Sequence, residues 1–388
     1  MEDHRIDTAQ HTAPWFKRMA PVAGVTDEAA APPKRFEDIM ENIISIANIP
    51  AYIRAAMAIQ SDRVDGFPLL ILGPVGVGKS QAPVQVAREE GWHVEVVNLS
   101  NYQPSEVTGW VTQVGDAMDQ LLPVWGRNVI DAGKSGSKSL IIFEEFPQCD
   151  IDVQKASAQV IWDRRVAGHR LPEDCLIIAN GNRKSDKAAV KSIPEHLVSR
   201  FNIVTVEAEL DPTLAHFAKI DVAPEVTTYL TQFPDALHRH AADGTPFPCP
   251  RTWVAVSDVI KAEVPKAIEM PMIAGAIGVG EQAKFTGFLR IWRDLVAPSE
   301  VFANPDAAPV PEKADVRYAM IGSLIASVTN KTAKACAAYI KRLPPEYHSV
   351  AVSALLRRNE AASEPGKKVS TTGFTDILIE TSNLIGEG

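Results

Sequence analysis

Cysteine is scarce in this chain of 388 residues. The four, Cys149, Cys175, Cys249 and Cys336, are separated by gaps of 26, 74 and 87 residues. That spacing contains no CxxC pair and no zinc ribbon, so buried, reduced thiols are expected. Long apolar runs are also missing. No segment approaches the roughly 20 residues that a membrane helix needs. The opening MEDHRIDTAQHTAP is polar and lacks the apolar core of a signal peptide. The expectation is a cytoplasmic protein with no membrane insertion. Positive charge is in deficit, because 39 Lys and Arg face 48 Asp and Glu for a net −9. Surfaces built mainly to coat nucleic acid are usually basic, so this balance argues against that class.

What is present is ordinary for a globular protein. Hydrophobic residues make up 46% and charged residues 22%, which excludes wholesale disorder. A chain this long can bury a large core, and its length suggests two or three structural units. Residues 1–34 are polar and end in an Ala/Pro cluster, as a flexible lead-in would. Between Phe36 and Ile59 apolar residues recur at helical spacing, with Pro50 breaking or restarting the helix.

The rhythm changes at FPLLILG (67–73), a continuous apolar run that predicts a strand buried on both faces. HVEVVNL (93–99), SLIIF (139–143), LIIA (176–179) and FNIVTVE (201–207) predict four more strands. Helical stretches fall between them, notably Lys79–Glu90 and Asp152–Arg164. That alternation predicts an α/β fold with a parallel sheet flanked by helices over 35–209. Residues 210–265 read as a helical lid and 266–388 as an additional helical region. A Pro-rich linker is expected near 297–312, followed by one last helix from Asp315 to Arg342.

Immediately after the first strand stands Gly73-Pro74-Val75-Gly76-Val77-Gly78-Lys79-Ser80, a match to G-x-x-x-x-G-K-[ST]. Glycines let a backbone wrap closely round phosphate oxygens, where a Cβ would collide. Backbone N–H groups and the following helix N-terminus then offer positive charge to the anion. Lys79 would reach the β/γ-phosphates of ATP or ADP, and Ser80 would place its hydroxyl on Mg2+. A second glycine-rich stretch, Gly275 to Gly280, has no strand before it and no Lys-Ser after it. It reads as a turn or a close helix contact.

Hydrolysis needs acids as well. SLIIF runs straight into Glu144-Glu145, a Walker B pattern in which one carboxylate holds Mg2+ and the next positions water. Glu144 is the expected Mg2+-side acid and Glu145 the base.

With these motifs in order, the chain resembles an AAA+ ATPase of the MoxR/CbbQ type, in the helix-2-insert group, over residues 36–265. The resemblance implies a P-loop NTPase sheet with an α-helical lid, a homo-hexameric ring and ATP hydrolysis. The family's usual Asp is replaced here by Glu144, which puts the hydrolysis rate in question more than nucleotide binding. By the same resemblance, Asn182 in LIIANGNR aligns with the sensor-1 amide, with Asn180 as the fallback. Arg200, before Phe201, aligns with an arginine finger that reaches a neighbouring subunit; Arg164, Arg165 and Arg183 are rivals. Arg251, at the start of a helix, aligns with the sensor-2 arginine.

Residues 108–125 and 164–174 correspond to the family's two insertions. Trp110 reads equally as a pore residue or as an aromatic packed under a loop. The resemblance implies a protein client, and a partner carrying a von Willebrand factor A domain. Two other readings stay open. One is a nucleic-acid-stimulated motor, supported by eight Lys/Arg against three Glu over 331–368. The other is a nucleotide-gated scaffold that hydrolyses very slowly. His238 and His240 read as a surface pair, because i,i+2 side chains on a helix do not face one another.

Overall fold

The computed structural model describes residues 42–62, 66–186, 191–241, 244–362 and 368–374, together with Ile377 and Ile379. The expected lead-in and the helix start at Phe36 lie outside those residues.

The apolar runs become strands because both their faces are covered. In chain order the strands are β1 (Leu69–Leu72), β2 (His93–Asn98), β3 (Trp110–Val114), β4 (Ala117–Leu121), β5 (Ser139–Glu144), β6 (Arg165–Val166), β7 (His169–Arg170), β8 (Cys175–Gly181) and β9 (Asn202–Thr205). Five of them form an all-parallel sheet in the order β2-β5-β8-β1-β9. Every residue of β1 and β8 is buried.

Successive side chains point to opposite faces, so each central strand feeds two cores. Leu69, Ile71, Leu140, Ile142, Leu176 and Ile178 meet α1 (Ile49–Ser61) and α2 (Gln81–Glu89) through Ile53, Met57 and Val86. Leu70, Leu72, Ile141, Phe143 and Ile177 meet the other helical layer. That layer contains α3 (Pro104–Thr108), α4 (Val124–Lys134) and α5 (Ile151–Asp163), which supply Val107, Val129 and Ile161. Pro50 sits in the first turn of α1, where its missing N–H costs nothing, and so it starts the helix. Ahead of α1 the chain runs alongside the sheet, with Ile43 bridged to Thr205.

The sheet order has a consequence for function. From β1 the chain crosses to β2 at one edge, whereas β9 lies on the opposite side of β1. Loops diverge at such a switch point and leave a crevice beyond the carboxyl ends of the strands.

The described residues after β8 are mostly helical. α6 (Glu195–Val198) precedes β9. α7 (Leu210–Lys219), α8 (Pro224–Gln232), α9 (Pro250–Lys261), α10 (Lys266–Ile277) and α11 (Val279–Arg293) share one hydrophobic cluster. At its centre the Tyr229 ring lies 4.9–5.5 Å from Phe233, Trp253, Phe285 and Phe288. This cluster spans Leu214 to Ala319 and so runs across residue 265. The second glycine-rich stretch straddles α10 and α11, with Gly278 alone between them at φ +80°, where a Cβ would lie 2.4 Å from Pro246 O.

Two expectations need correcting. The single helix over 315–342 is two helices, α13 (Ala314–Ser327) and α14 (Ala333–Lys341). Thr329 N–H donates to Thr332 Oγ1 (2.9 Å), a local bond that competes with helix continuation. The Arg358 guanidinium caps the α13 end at the Ile325 and Val328 carbonyls. It projects from α15 (Glu346–Ala361), a helix the sequence reading lacked. Nor is 297–312 a plain linker. It contains α12 (Pro298–Ala303) and is pinned by the Tyr339 hydroxyl on Pro309 O (2.7 Å) and by Arg342 on Ala308 O (2.8 Å).

All four cysteines are buried and unbridged. Burial pushes the Cys149, Cys175 and Cys336 thiols up to about 12. No helix among the described residues is long and apolar enough to cross a membrane.

Candidate functional site

Parallel register brings three strand ends together. Leu72 pairs with Gly181, Ile71 with Asn180, and Phe143 with Ala179. The glycine-rich loop leaves β1, the two acids leave β5, and the two asparagines sit at the end of β8. Gly73 N–H donates to Gly181 O (3.2 Å) and Phe146 N–H to Asn180 O (3.0 Å). These bonds tie the three exits to one another.

Glycine is required in the loop for two separate reasons. At Gly73 a Cβ would lie 2.4 Å from Val206 O. Gly76 and Gly78 have φ of +79° and +96°, the region that L side chains avoid. At Gly76 a Cβ would also meet Cys249 Sγ at 2.5 Å. Cys249 is the N-cap of α9, and Arg251 Cβ lies 3.5 Å from the same point. The N-terminus of α9 therefore abuts the loop, bringing a helix dipole and a guanidinium to its side.

Lys79 is buried, and its ammonium is fully engaged. It donates to Gly73 O (2.8 Å), Pro74 O (2.6 Å) and Asn182 Oδ1 (3.1 Å). Burial pushes it down to about 8, against the pull of Asp186; Arg251 and Arg183 push in the same direction as burial. Asn180 Nδ2 donates to Ser80 Oγ at 3.1 Å. Both asparagines thus reach the loop, each through its own side-chain partner, and the fallback Asn180 is as well placed as Asn182.

Glu144 ends β5 half-buried, and its charge acts on Lys79. Glu145 is exposed and has φ +57°, an uncommon conformation for a residue with a side chain. Its carbonyl accepts from Gln148 N–H and Cys149 N–H, both at 2.9 Å. That turn holds the backbone so that the Glu145 side chain stands clear of the sheet.

The arginine candidates separate by their partners. Arg200 is exposed, with its guanidinium 4.4 Å from the centre of the Trp162 ring. No hydrogen bond or ion pair joins it to loop 73–80 among the described residues. Arg183 is bound to Asp186 and Glu207. Burial opposes its charge, but the hydrogen bonds it donates to these acids outweigh that and hold the guanidinium well above its ordinary value. Arg164 is buried and donates to Pro172 O (2.5 Å), closing its own hairpin. Arg165 donates to Gly168 O (3.0 Å) and is exposed.

Both insertions are hairpins. β3 and β4 pair antiparallel, as do β6 and β7. Ala167 N–H donates to Thr108 O (2.9 Å), so the turn at the tip of β6–β7 is bonded to the base of β3–β4. Trp110 is 59% exposed rather than packed beneath a loop, and Met118 is 83% exposed.

One residue at the site was missed. His238 lies in an irregular segment, not on a helix, so the argument from helical spacing does not apply. Its Nε2 is 3.1 Å from Val75 O in the loop. His238 and His240 both set their rings edge-on to Phe247, at 6.1 and 4.9 Å. They line a cleft of about 440 Å³ with Pro74, Asp186, Glu207 and Asp235. The signal available in the sequence was weak: Pro234 and the Pro-rich stretch 246–250 leave room for only a short helix through 238–240.

The arrangement offers what a phosphate chain needs: a glycine cradle, a buried cation, a hydroxyl, and carboxylates on a neighbouring strand. No protein-family model matches the chain, and no curated protein matches it.

Proposed function

We propose that this chain binds ATP with Mg2+ at loop 73–80, hydrolyses it, and works as a ring-forming AAA+ motor of the MoxR/CbbQ type on a protein client. The observation that carries this reading is the convergence of loop 73–80, Glu144-Glu145 and Asn180/Asn182 at the switch point of a parallel sheet. The positive φ of Gly76 and Gly78 is the backbone shape expected of a loop that turns its N–H groups toward a phosphate. Ser80 and Glu144 supply the hard oxygen donors suited to Mg2+. The ion would neutralise charge on the β/γ-phosphate oxygens.

The roles of the chain's own residues follow from their environments. Loop N–H groups and Lys79 bind phosphate oxygens, and the lysine must leave the Gly73 and Pro74 carbonyls to do so. Glu145, exposed beside the cradle, takes a proton from water. Asn182 or Asn180 orients that water. Arg251 enters from α9 and links the helical lid to nucleotide occupancy. Arg200, exposed and without an ion-pair partner among the described residues, is placed to serve a neighbouring protomer in a homo-hexamer. The apolar hairpin β3–β4 is the surface we assign to the client, and a von Willebrand factor A domain protein is the expected partner.

The nucleic-acid reading is weakened by the basic tail itself. Arg342 and Arg358 are spent on internal carbonyls, and Arg357 on Asp211. The deciding experiment is Mg2+-dependent phosphate release by the wild-type protein and by Lys79→Ala. Release by the wild type alone supports the motor. Tight ATP binding with no release supports the slow scaffold, and no ATP binding removes both.

A further inference from the structure

We propose that His238 is a positioning residue of the phosphate loop that takes up a proton when a polyphosphate occupies the loop. The inference rests on the nucleotide-binding reading above and concerns how that site is held.

The geometry fixes one ring nitrogen. Val75 O can only accept, so Nε2 carries the hydrogen and Nδ1 is the basic nitrogen that remains. The segment bearing His238 cannot drift from the loop, because the next residue anchors it. Arg239 N–H donates to Pro248 O (3.0 Å), and its guanidinium binds the buried carboxylate of Glu281 (3.0 Å). Glu281 in turn accepts from the Tyr229 hydroxyl (2.5 Å) at the centre of the helical cluster. One dipeptide therefore joins the loop backbone to the core of the lid.

The charges facing the imidazole come from every side. Lys79 approaches from the loop, Asp186 from the turn after β8, and His240 from the same segment. Arg183, Glu207 and Asp235 line the shared cleft. Burial holds His238 below its ordinary value against the opposing pull of the Val75 carbonyl and Asp186, with His240 and Lys79 adding to the effect of burial. The ring is therefore neutral in neutral solution. A polyphosphate in loop 73–80 adds negative charge beside it, which favours the imidazolium. Linkage then sets the sign. The bound state has the higher proton affinity, so nucleotide affinity rises as pH falls from the bound-state value to the free-state value. It is flat outside that window. Each unit of upward shift corresponds to about tenfold in affinity.

The experiment is calorimetric titration of the full chain with ADP, in buffers of different ionisation enthalpy, over about one unit either side of the ordinary histidine value of about 6.5. The comparison is His238→Gln, whose amide still donates to Val75 O but does not titrate. The terminal phosphate of ADP ionises near pH 6 and contributes equally to both titrations, so it cancels. Greater proton uptake in the wild type, and a steeper rise in affinity on acidification, are expected. Equal proton uptake by the two proteins overturns the proposal. So does loss of ADP binding by His238→Gln at every pH, which would make the ring a structural support only. Failure of ADP to bind the wild type would instead remove the nucleotide-binding reading itself.

Discussion

The Lys79 ammonium sits 3.1 Å from Asn182 Oδ1, so the loop lysine and the polar end of β8 are in direct contact. Its other two acceptors are carbonyls of its own loop. The lysine thus holds the cradle in shape, and an incoming phosphate must compete with three bonds.

That arrangement gives a pH prediction. The folded value of about 8 lies below the ordinary 10.5, so the folded chain binds fewer protons than the unfolded one between those values. Stability contributed by this group therefore rises as pH increases through that interval. Phosphate binding runs the other way, since only the ammonium attracts the anion. ATP affinity should fall above pH 8, by up to about tenfold per unit. Lys79→Ala should lose at least about tenfold at neutral pH, as expected for a lost charge-assisted bond. Titration calorimetry across the range measures both, and a flat wild-type profile would count against the lysine's role.

Glu145 combines exposure with a left-handed backbone. Glu145→Gln should bind ATP normally while turnover falls by about 10²–10⁴-fold, the usual contribution of a general base. Glu145→Gly should also lose turnover yet gain up to about 1 kcal/mol of stability, because glycine accepts this conformation. Phosphate release and thermal unfolding of the two variants test the pair. A Gln variant as active as wild type would reassign the base.

Gly76 carries a steric prediction. Gly76→Ala suffers from its positive φ and from Cys249 Sγ at 2.5 Å. Replacing Cys249 with Ala in the same chain removes the second cost but not the first. A double-mutant cycle on unfolding free energy should show a coupling above about 0.5 kcal/mol. Strict additivity would mean that α9 does not press on the loop.

Arg200→Ala removes one exposed cation–π contact with Trp162, which is worth about 0.5–1 kcal/mol. Stability should therefore barely change, while ATP turnover collapses and the assembly seen by sedimentation persists. Mixed with Lys79→Ala subunits, it should regain part of the activity if the arginine acts on its neighbour. Failure of every mixture to recover would remove action in trans.

How much of this was legible beforehand depended on the range of the cause. Leu69–Leu72, Ser139–Glu144 and Cys175–Gly181 declared themselves as strands because burial on both faces demands unbroken apolar runs. Gly73 to Ser80 and Glu144-Glu145 were readable because their signals are contiguous. The insertions that hold the hairpins at 110–121 and 165–170 were anticipated only through the resemblance. The break between α13 and α14 was missed, since it is set by Thr329, Thr332 and a guanidinium arriving from Arg358. His238 was missed for a similar reason. Its partner, Val75, lies 163 residues away, and nothing in the local pattern points there.

The packing of Cys249 against Gly76 also has a mechanical reading. α9 has 12 residues, a rod about 18 Å long. If the cap residue follows a displacement of about 1 Å in the loop while the far end stays put, the rod tilts by about 3°. Trp253, one turn along, would carry that tilt into the ring nest around Tyr229. The helix thereby acts as a stiff crank. Small rearrangements of the loop backbone would then become rotation of the aromatic core that Trp253 joins.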